Sequence, residues 1–362
     1  MTITLNDKIK EFISYCDSNN IDIYLVGGAL RDILLNENSY DYDFALTSDY
    51  FNALEIIKRK YKCSSDHKYQ CIKLKLEEYN IEISHARVES NYIDYRHPLN
   101  MEFTSDIKLD SKRRDFTINA LYYKDDKIYD FYNGLEHLKR KELVVIGDIL
   151  TRFKEDPLRI LRMIRFAHKG FTISNIDKEI IIKNRYLLKE LSLASFNKEF
   201  DLILNMSDIE IMNTYRVLFE DYFETRFNNI SILKEFKNLE MKKTYLNIKN
   251  KSNYYKYKDI QISSNIIEIN KLIYKYGKEI IKDLIEYYDI INCSNLVNIY
   301  NEIIDTKFHD KKQLNITSKD IIELTNKVEL TSYYIDKVCY GIIEGKIKNN
   351  KEEIKRYIME NM

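Results

Sequence analysis

No run of about 18 apolar residues occurs in this 362-residue chain and no basic-then-apolar signal opens it, so neither a membrane span nor export is expected. Cysteine is scarce: Cys16, Cys63, Cys71, Cys293 and Cys339 form no Cys-x-x-Cys pair. That spacing argues against a zinc site or a disulfide framework, and the thiols read as reduced, mostly buried and cytoplasmic. The six histidines are scattered, with His309-Asp310 the only His-Asp dipeptide, which disfavours a metal phosphohydrolase of the His/His-Asp/Asp type. Fixed-period repeats are absent. Prolines number two and glycines eight. Both prolines and five of the glycines precede residue 171, beyond which only Gly277, Gly341 and Gly345 interrupt an apolar spacing of helical period. The front of the chain therefore reads as strands and turns mixed with helices, and the back as almost all helix.

What the front does contain is an ordered device. Residues 24–46 read Tyr-Leu-Val-Gly-Gly-Ala-Leu-Arg-Asp-Ile-Leu-Leu-Asn-Glu-Asn-Ser-Tyr-Asp-Tyr-Asp-Phe-Ala-Leu: an apolar strand, a glycine pair, a short helix and a second strand. Gly27 and Gly28 let backbone N–H groups approach a phosphate where a Cβ would intrude, and the helix that follows turns its positive end to the same anion. Residues i and i+2 of a strand share a face, so Asp41 and Asp43 project together while Tyr42 points away. Two such carboxylates suit Mg²⁺, which takes oxygen ligands and shares them with substrate phosphates. Alone, Gly-Gly marks a turn and Asp-x-Asp a solvated edge. Joined by twelve residues, room for one short helix and a turn, they describe a strand returning beside the first. Ile81-Glu82-Ile83 places a third carboxylate between apolar neighbours on a predicted strand.

Two further segments carry chemistry. Lys112-Arg113-Arg114-Asp115-Phe116-Thr117-Ile118-Asn119-Ala120-Leu121 sets a basic pair, able to meet ribose and phosphate oxygens, beside an Asp and an Asn able to orient a sugar hydroxyl. The plainer reading is a helix start on a charged surface. In Glu155-Asp156-Pro157-Leu158-Arg159-Ile160-Leu161-Arg162-Met163-Ile164-Arg165, the arginines at 159, 162 and 165 recur every three residues and share one helical face. Asp156-Pro157 has the form of an N-cap followed by proline at the first helical position.

Gly-Gly-Ala-Leu-Arg-Asp with Asp-Tyr-Asp resembles the metal motif of the polymerase-β-type nucleotidyltransferases. The four motifs in order, including Asp130-Phe131-Tyr132-Asn133-Gly134-Leu135 as a hinge, resemble the class II tRNA nucleotidyltransferases (CCA-adding enzymes) and the bacterial poly(A) polymerases related to them. The resemblance covers residues 20–205 well and the remainder loosely. It implies an α+β fold: a polymerase-β-like head with a small mixed sheet over 1–147, then an all-α neck (148–215), body (216–300) and tRNA-binding tail (301–362). It implies addition of C, C and A to tRNA 3′ ends from CTP and ATP with release of pyrophosphate. Asp41 and Asp43 would hold Mg²⁺ and Glu82 complete the site; Gly27, Gly28 and Arg31 would take the triphosphate; Arg114, Asp115 and Asn119 the ribose; Asp156 and Arg159 the base; Arg162 and Arg165 phosphate or structural support. Glu89-Ser90-Asn91-Tyr92-Ile93-Asp94-Tyr95-Arg96-His97-Pro98 resembles the flexible loop of relatives that add the terminal A, with Asp94 and Arg96 as its anchors.

The selecting pair agrees with the base edges. Cytosine and adenine each present an amino donor beside a ring acceptor, whereas uracil and guanine present a carbonyl beside an N–H. Asp156 can only accept and Arg159 only donate, so the pair matches C and A and opposes U and G, at about 1–3 kcal/mol per unsatisfied group. No template is needed. A poly(A) polymerase, or a relative adding only CC or only A, shares the same arrangement, and a non-catalytic RNA-binding helical protein would require a broken carboxylate set. Two departures from the family pattern occur. The Ser-x-Glu-Arg brace is replaced by Ser192-Leu193-Ala194-Ser195, leaving Glu199, and after Leu314-Asn315-Ile316-Thr317 the Gly-Pro turn is replaced by Lys327-Val328-Glu329-Leu330. Residues 1–150 hold 21 Lys and Arg against 26 Asp and Glu, an acidic excess that the rest of the chain balances, so RNA is expected on the basic portion. Lys249-Asn250-Lys251-Ser252-Asn253-Tyr254-Tyr255-Lys256-Tyr257-Lys258 interleaves cations and aromatics as an RNA surface does, and the plainer reading is compositional drift in a chain rich in Lys, Asn, Ile and Tyr. Monomer and homodimer are both compatible with the sequence.

Overall fold

The computed structural model describes residues 3–92, 98–206, 208–249, 252–292 and 295–362. Two compact units divide the chain, Met1–Glu224 and Thr225–Met362.

The first unit begins with helix α1 (Asp7–Ser18), started by the Asn6 side chain accepting the Lys8 N–H and burying Ile9, Phe12 and Cys16 along one stripe. Strand β1 (Ile23–Val26) ends at Gly27, whose φ of 75° is left-handed, and helix α2 (Gly28–Leu34) follows at once. Strand β2 (Asp41–Leu46) runs back antiparallel to β1 with Val26 opposite Asp43, so the expected return of the second strand is met. Helix α3 (Tyr50–Lys60), β3 (Cys63–Asp66), β4 (Cys71–Leu76) and β5 (Tyr79–His85) extend the sheet, β5 parallel to β2 with Glu82 opposite Asp43. After β6 (Arg87–Tyr92), β7 (Pro98–Phe103) and helix α4 (Ile107–Ser111), β8 (Leu121–Lys124) and β9 (Lys127–Asp130) close the far edge. The order is β3-β4-β5-β2-β1-β8-β9, a mixed seven-stranded sheet. Alternation sorts its faces: Tyr42 and Phe44 are buried, with Phe44 against Phe12 of α1, while Asp41 and Asp43 face outward.

The expected loop over 89–98 is corrected in part. Residues 87–92 and 98–103 form an antiparallel hairpin, β6–β7, with Val88 opposite Glu102. Glu89 is a strand residue whose carboxylate meets Arg87, two positions back on the same face, at 2.7 Å. Asp94 and Arg96 lie outside the described residues.

From β9 the chain turns on Asp130, whose carboxylate accepts the N–H groups of Tyr132, Gly134 and Leu135. A Cβ at Gly134 would lie 2.3 Å from the Thr117 carbonyl, so only glycine lets helix α5 (Gly134–Arg140) pass this close. Helices α6 (Ile149–Glu155), α7 (Leu158–His168), α8 (Asn175–Lys183), α9 (Leu193–Met206) and α10 (Ile209–Phe223) complete the unit. Phe166 of α7 sits edge-on to Phe116, centroids 5.4 Å apart, fixing the helix against the Arg-Arg-Asp segment.

The second unit is helical: α11 (Leu239–Tyr245), α12 (Asn253–Lys256), α13 (Ile266–Tyr276), α14 (Lys278–Asn292), α15 (Leu296–Thr306), α16 (Ser318–Thr325), α17 (Thr331–Ile343) and α18 (Lys351–Glu360). One core gathers Ile269, Ile273, Ile281, Leu284 and Ile303; another gathers Ile321, Tyr334, Val338, Ile354 and Ile358. No helix is long and apolar enough to cross a membrane among the described residues.

Candidate active site

A cleft of about 580 Å³ opens where the end of β1 meets α2, β5 and α7. Gly27, Gly28, Arg31, Asp43, Glu82, Arg114, Asp115, Asn119, Asp156, Arg159, Arg162 and Arg165 all line it, so segments up to 138 residues apart converge. Asp41 lies outside this lining, on an adjoining cavity that shares Asp43 and Glu82 with the cleft.

Gly27 is required twice over: by its positive φ, and because a Cβ there would come within 3.2 Å of Asp43 Oδ2. Asp43 belongs to a residue with exposed surface, yet its carboxyl sits at the floor of the cleft. Lost hydration there is the largest influence on it and the Glu82 charge the next, and together they push its pKa up to about 6 against the pull of Arg114. Asp41 Oδ1 accepts the Asn80 amide at 2.7 Å, and Glu82 pairs with Lys73 of β4 at 2.8 Å. Among the described residues no three carboxylate, histidine or cysteine groups close into a metal cluster. Asp41 and Asp43 nonetheless fit a divalent cation: they are hard oxygen donors on one strand face, and Asp43 is a carboxylate short of hydration with Glu82 beside it, a state that a cation would relieve.

The arginines are held in a connected network. Arg31 Nη1 donates to Asn119 Oδ1 at 2.7 Å, Asn119 Nδ2 donates to Asp115 Oδ1 at 3.1 Å, and Arg162 Nη2 pairs with Asp115 Oδ2 at 2.7 Å. Arg31 also pairs with Asp32 and lies over the Phe166 ring. Burial works to raise the Asp115 carboxyl, but Arg162, Asn119 and the Phe116 N–H hold it below the usual range. Helix α2, the Arg-Arg-Asp segment and helix α7 are thus joined by side chains.

Helix α7 begins one residue later than the sequence predicts. Pro157 occupies the cap position, and Asp156 contributes by accepting the Leu158 N–H on its side chain and the Arg159 N–H on its carbonyl, each at 3.1 Å. Arg159 is 5% exposed; its Nη1 donates to the Arg152 carbonyl and to Glu155, and its Nη2 to the Arg113 carbonyl. Arg165 Nε meets Glu199 Oε2 of α9 at 2.7 Å, so the remnant of the missing brace grips α7 directly.

Sequence reasoning missed two organising residues. Asp110, wholly buried, takes Arg113 Nε at 2.8 Å, Arg114 Nη2 at 3.1 Å, the Tyr122 hydroxyl at 2.6 Å and the Arg87 N–H. Burial pushes its carboxyl up, but Arg114 and Arg113 outweigh it and hold it far below the usual range. The available signal was a carboxylate three and four residues before an arginine pair, one helical turn away. Arg152 donates to the carbonyls of Arg113 and Arg114 at 2.6 and 2.8 Å and pairs with Glu155. No local spacing announces a contact 38 residues distant.

Residues 23–144 match the Poly A polymerase head domain model. The CCA-adding enzyme of Staphylococcus haemolyticus (strain JCSC1435) is 27% identical over an alignment of 401 positions covering all of both chains. Among solved structures, the Bacillus stearothermophilus CCA-adding enzyme in complex with CTP superposes with a TM-score of 0.69 at 20% identity, covering 98% of this chain and 97% of that one. The Thermotoga maritima CCA-adding enzyme complexed with tRNA gives 0.64 at 18% identity, covering 99% and 96%. The α+β fold expected from the motifs is thereby shared from end to end. Head model, full-length relatives and fold agree in the same likeness: the chain is similar from end to end to CCA-adding enzymes, with a head like that of the poly(A) polymerases.

Proposed function

We propose that the protein adds C, C and A to tRNA 3′ ends without a template, using CTP and ATP and releasing pyrophosphate. The observation that carries this reading is the convergence of the glycine pair, the strand carboxylates, the Arg-Arg-Asp segment and the arginine helix on one cleft. CCA-adding activity is what the relatives are named for.

In this reading Gly27 and Gly28 offer an approach free of side chains to the triphosphate, and Arg31 and Arg114 balance its charge from two sides. Asp115 and Asn119 orient the ribose. Asp156 accepts from the amino group of C or A, and Arg159 donates to the ring nitrogen. Because Arg159 is fixed by two carbonyls and Glu155, its donor geometry is set before a base arrives, which favours selection over tolerance. Asp41 and Asp43 would hold Mg²⁺, with Glu82 beside them. Bound there, Mg²⁺ supplies the charge that eases deprotonation of the RNA 3′-hydroxyl and departure of pyrophosphate. The finer partition into head (1–147), neck (148–215), body (216–300) and tail (301–362) belongs to this reading, as does a cytoplasmic site of action.

Purified protein given tRNA lacking its CCA end, with CTP and ATP singly and together, should extend by two C and then one A and stop. Long oligo(A) tails would instead establish a poly(A) polymerase. Asp43→Asn should fold normally yet lose at least about 10³-fold in rate, since an amide cannot balance the cation beside a triphosphate. Near-normal turnover of that folded variant would remove Asp43 from the metal site.

A further inference from the structure

Beside the nucleotide cleft, on the outward face of β3, β4, β5 and β2, lies a second cavity of about 640 Å³ whose lysines have no part in the roles above. Strand register explains its composition. In one row across the sheet Ser64, Lys73, Glu82 and Asp43 are successive partners; in the next, Lys75, Asn80 and Asp41 are. Lys62, just before β3, joins the same wall. The face is therefore graded: carboxylates on β2, mixed charge on β5, lysines on β4 and beyond.

We propose that this cavity is the subsite for the 3′ end of the RNA, with Lys62 and Lys75 neutralising the phosphodiesters that precede the terminal hydroxyl. The proposal rests on the nucleotidyl-transfer reading and names where its second substrate lies. In-line displacement requires the attacking hydroxyl and the departing pyrophosphate to stand on opposite sides of the transferred phosphorus. The arginine-lined cleft, which takes the triphosphate, and the lysine-lined cavity flank Asp43 and Glu82, the residues they share. Asp41 lines the lysine cavity alone, as expected of a carboxylate nearer the entering hydroxyl. Neighbouring strands lie about 4.8 Å apart, so β4 stands roughly 10 Å from the β2 carboxylates. That is too far for its lysines to reach the reacting phosphorus, and suits contact with the backbone behind the terminal nucleotide. Lys73 is different, since it is committed to Glu82. Lys62 and Lys75 are exposed and neither holds the sheet together, so they can be removed without disturbing the fold.

The test uses the full chain, tRNA ending at the nucleotide before CCA, and CTP. Lys62→Ala/Lys75→Ala should raise the KM and Kd for tRNA about tenfold, leave the KM for CTP within about twofold, and flatten the dependence of log Kd on log salt by about 0.7 per lysine. Lys75→Glu should weaken tRNA binding further, with an unchanged melting temperature. Unaltered tRNA affinity in a wild-type background that extends tRNA would overturn the subsite while leaving the function intact. A raised KM for CTP with normal tRNA binding would assign the lysines to the triphosphate and overturn it as well. A wild type that adds nothing to tRNA would remove the function, and this subsite with it.

Discussion

Asp110 decides the position of two arginines without lying in the cleft they serve. Removing its charge in Asp110→Asn leaves Arg113 and Arg114 beside a neutral amide in a site closed to solvent. Breaking a buried pair this way costs about 3 kcal/mol. The variant should therefore melt lower and bind CTP more weakly, because Arg114 is held within 3.8 Å of the Cβ position at Gly27 by this carboxylate. Denaturant unfolding together with KM for CTP checks both; wild-type values for both would make Asp110 a bystander. His168 makes a different prediction at the same scale. Both ring nitrogens are buried without a hydrogen-bond partner, and burial lowers its pKa to about 4, only partly opposed by Asp208. Above pH 6.5 the imidazole is neutral folded or unfolded and adds no pH dependence. Between 6.5 and 4 only the unfolded chain takes up the proton, so stability falls with acidification by roughly 3 kcal/mol in total. His168→Phe should abolish that component, seen as a smaller loss of urea stability from pH 7 to 4.5; an identical loss in both proteins would show that His168 protonates freely in the folded state.

At the scale of elements, the hairpin β6–β7 and helix α7 are coupled through one residue. Arg113 Nη1 lies 3.8 Å from Glu89 of the hairpin, while its carbonyl accepts from both Arg152 and Arg159. If Arg159 reads the base as proposed, a shift of the hairpin base is transmitted to that donor, which is the physical content of a lever between C and A addition. Deleting residues 91–98 should leave addition of C largely intact and stall the product before A, read as the length of labelled tRNA on a sequencing gel. Equal loss of both steps, or an unaffected A step, would sink the lever. These elements also mark where sequence was and was not legible. The strand-glycine-helix-strand device and the arginine face of α7 could be read because their chemistry is local, spaced by periods of two and of three to four. The hairpin reads as a loop in the sequence because its polar residues and proline mask a pairing that exists only with a partner strand some ten residues on. The Arg165–Glu199 brace was hidden because it depends on how α7 packs against α9, which no motif encodes.

For the whole molecule, a net charge of zero conceals a division that follows the two units. Met1–Glu224 carries 33 basic and 38 acidic residues, and Thr225–Met362 carries 24 and 19. The basic excess visible in the second half of the sequence lies entirely in the second unit, while the first, which contains every residue of the cleft, is acidic. If Asp41 and Asp43 hold a cation, an anionic centre suits them by discouraging RNA phosphates from occupying that site, and most of the affinity for tRNA, beyond the share of Lys62 and Lys75, must then come from the second unit. If about three phosphates are neutralised there, log Kd for tRNA should change with log salt at a slope near 2.7 in magnitude. Affinity would then drop on the order of 40-fold between 50 and 200 mM salt. The KM for CTP should shift far less, because its contacts are few, buried in the cleft and less screened. Charge-neutralising substitutions among the exposed lysines of Thr225–Met362 should reduce the tRNA slope by just under one unit per lost contact and leave the CTP response unchanged. A tRNA affinity indifferent to salt would contradict this, and would mean that RNA is held chiefly by base and ribose contacts rather than by the charge that separates the two units.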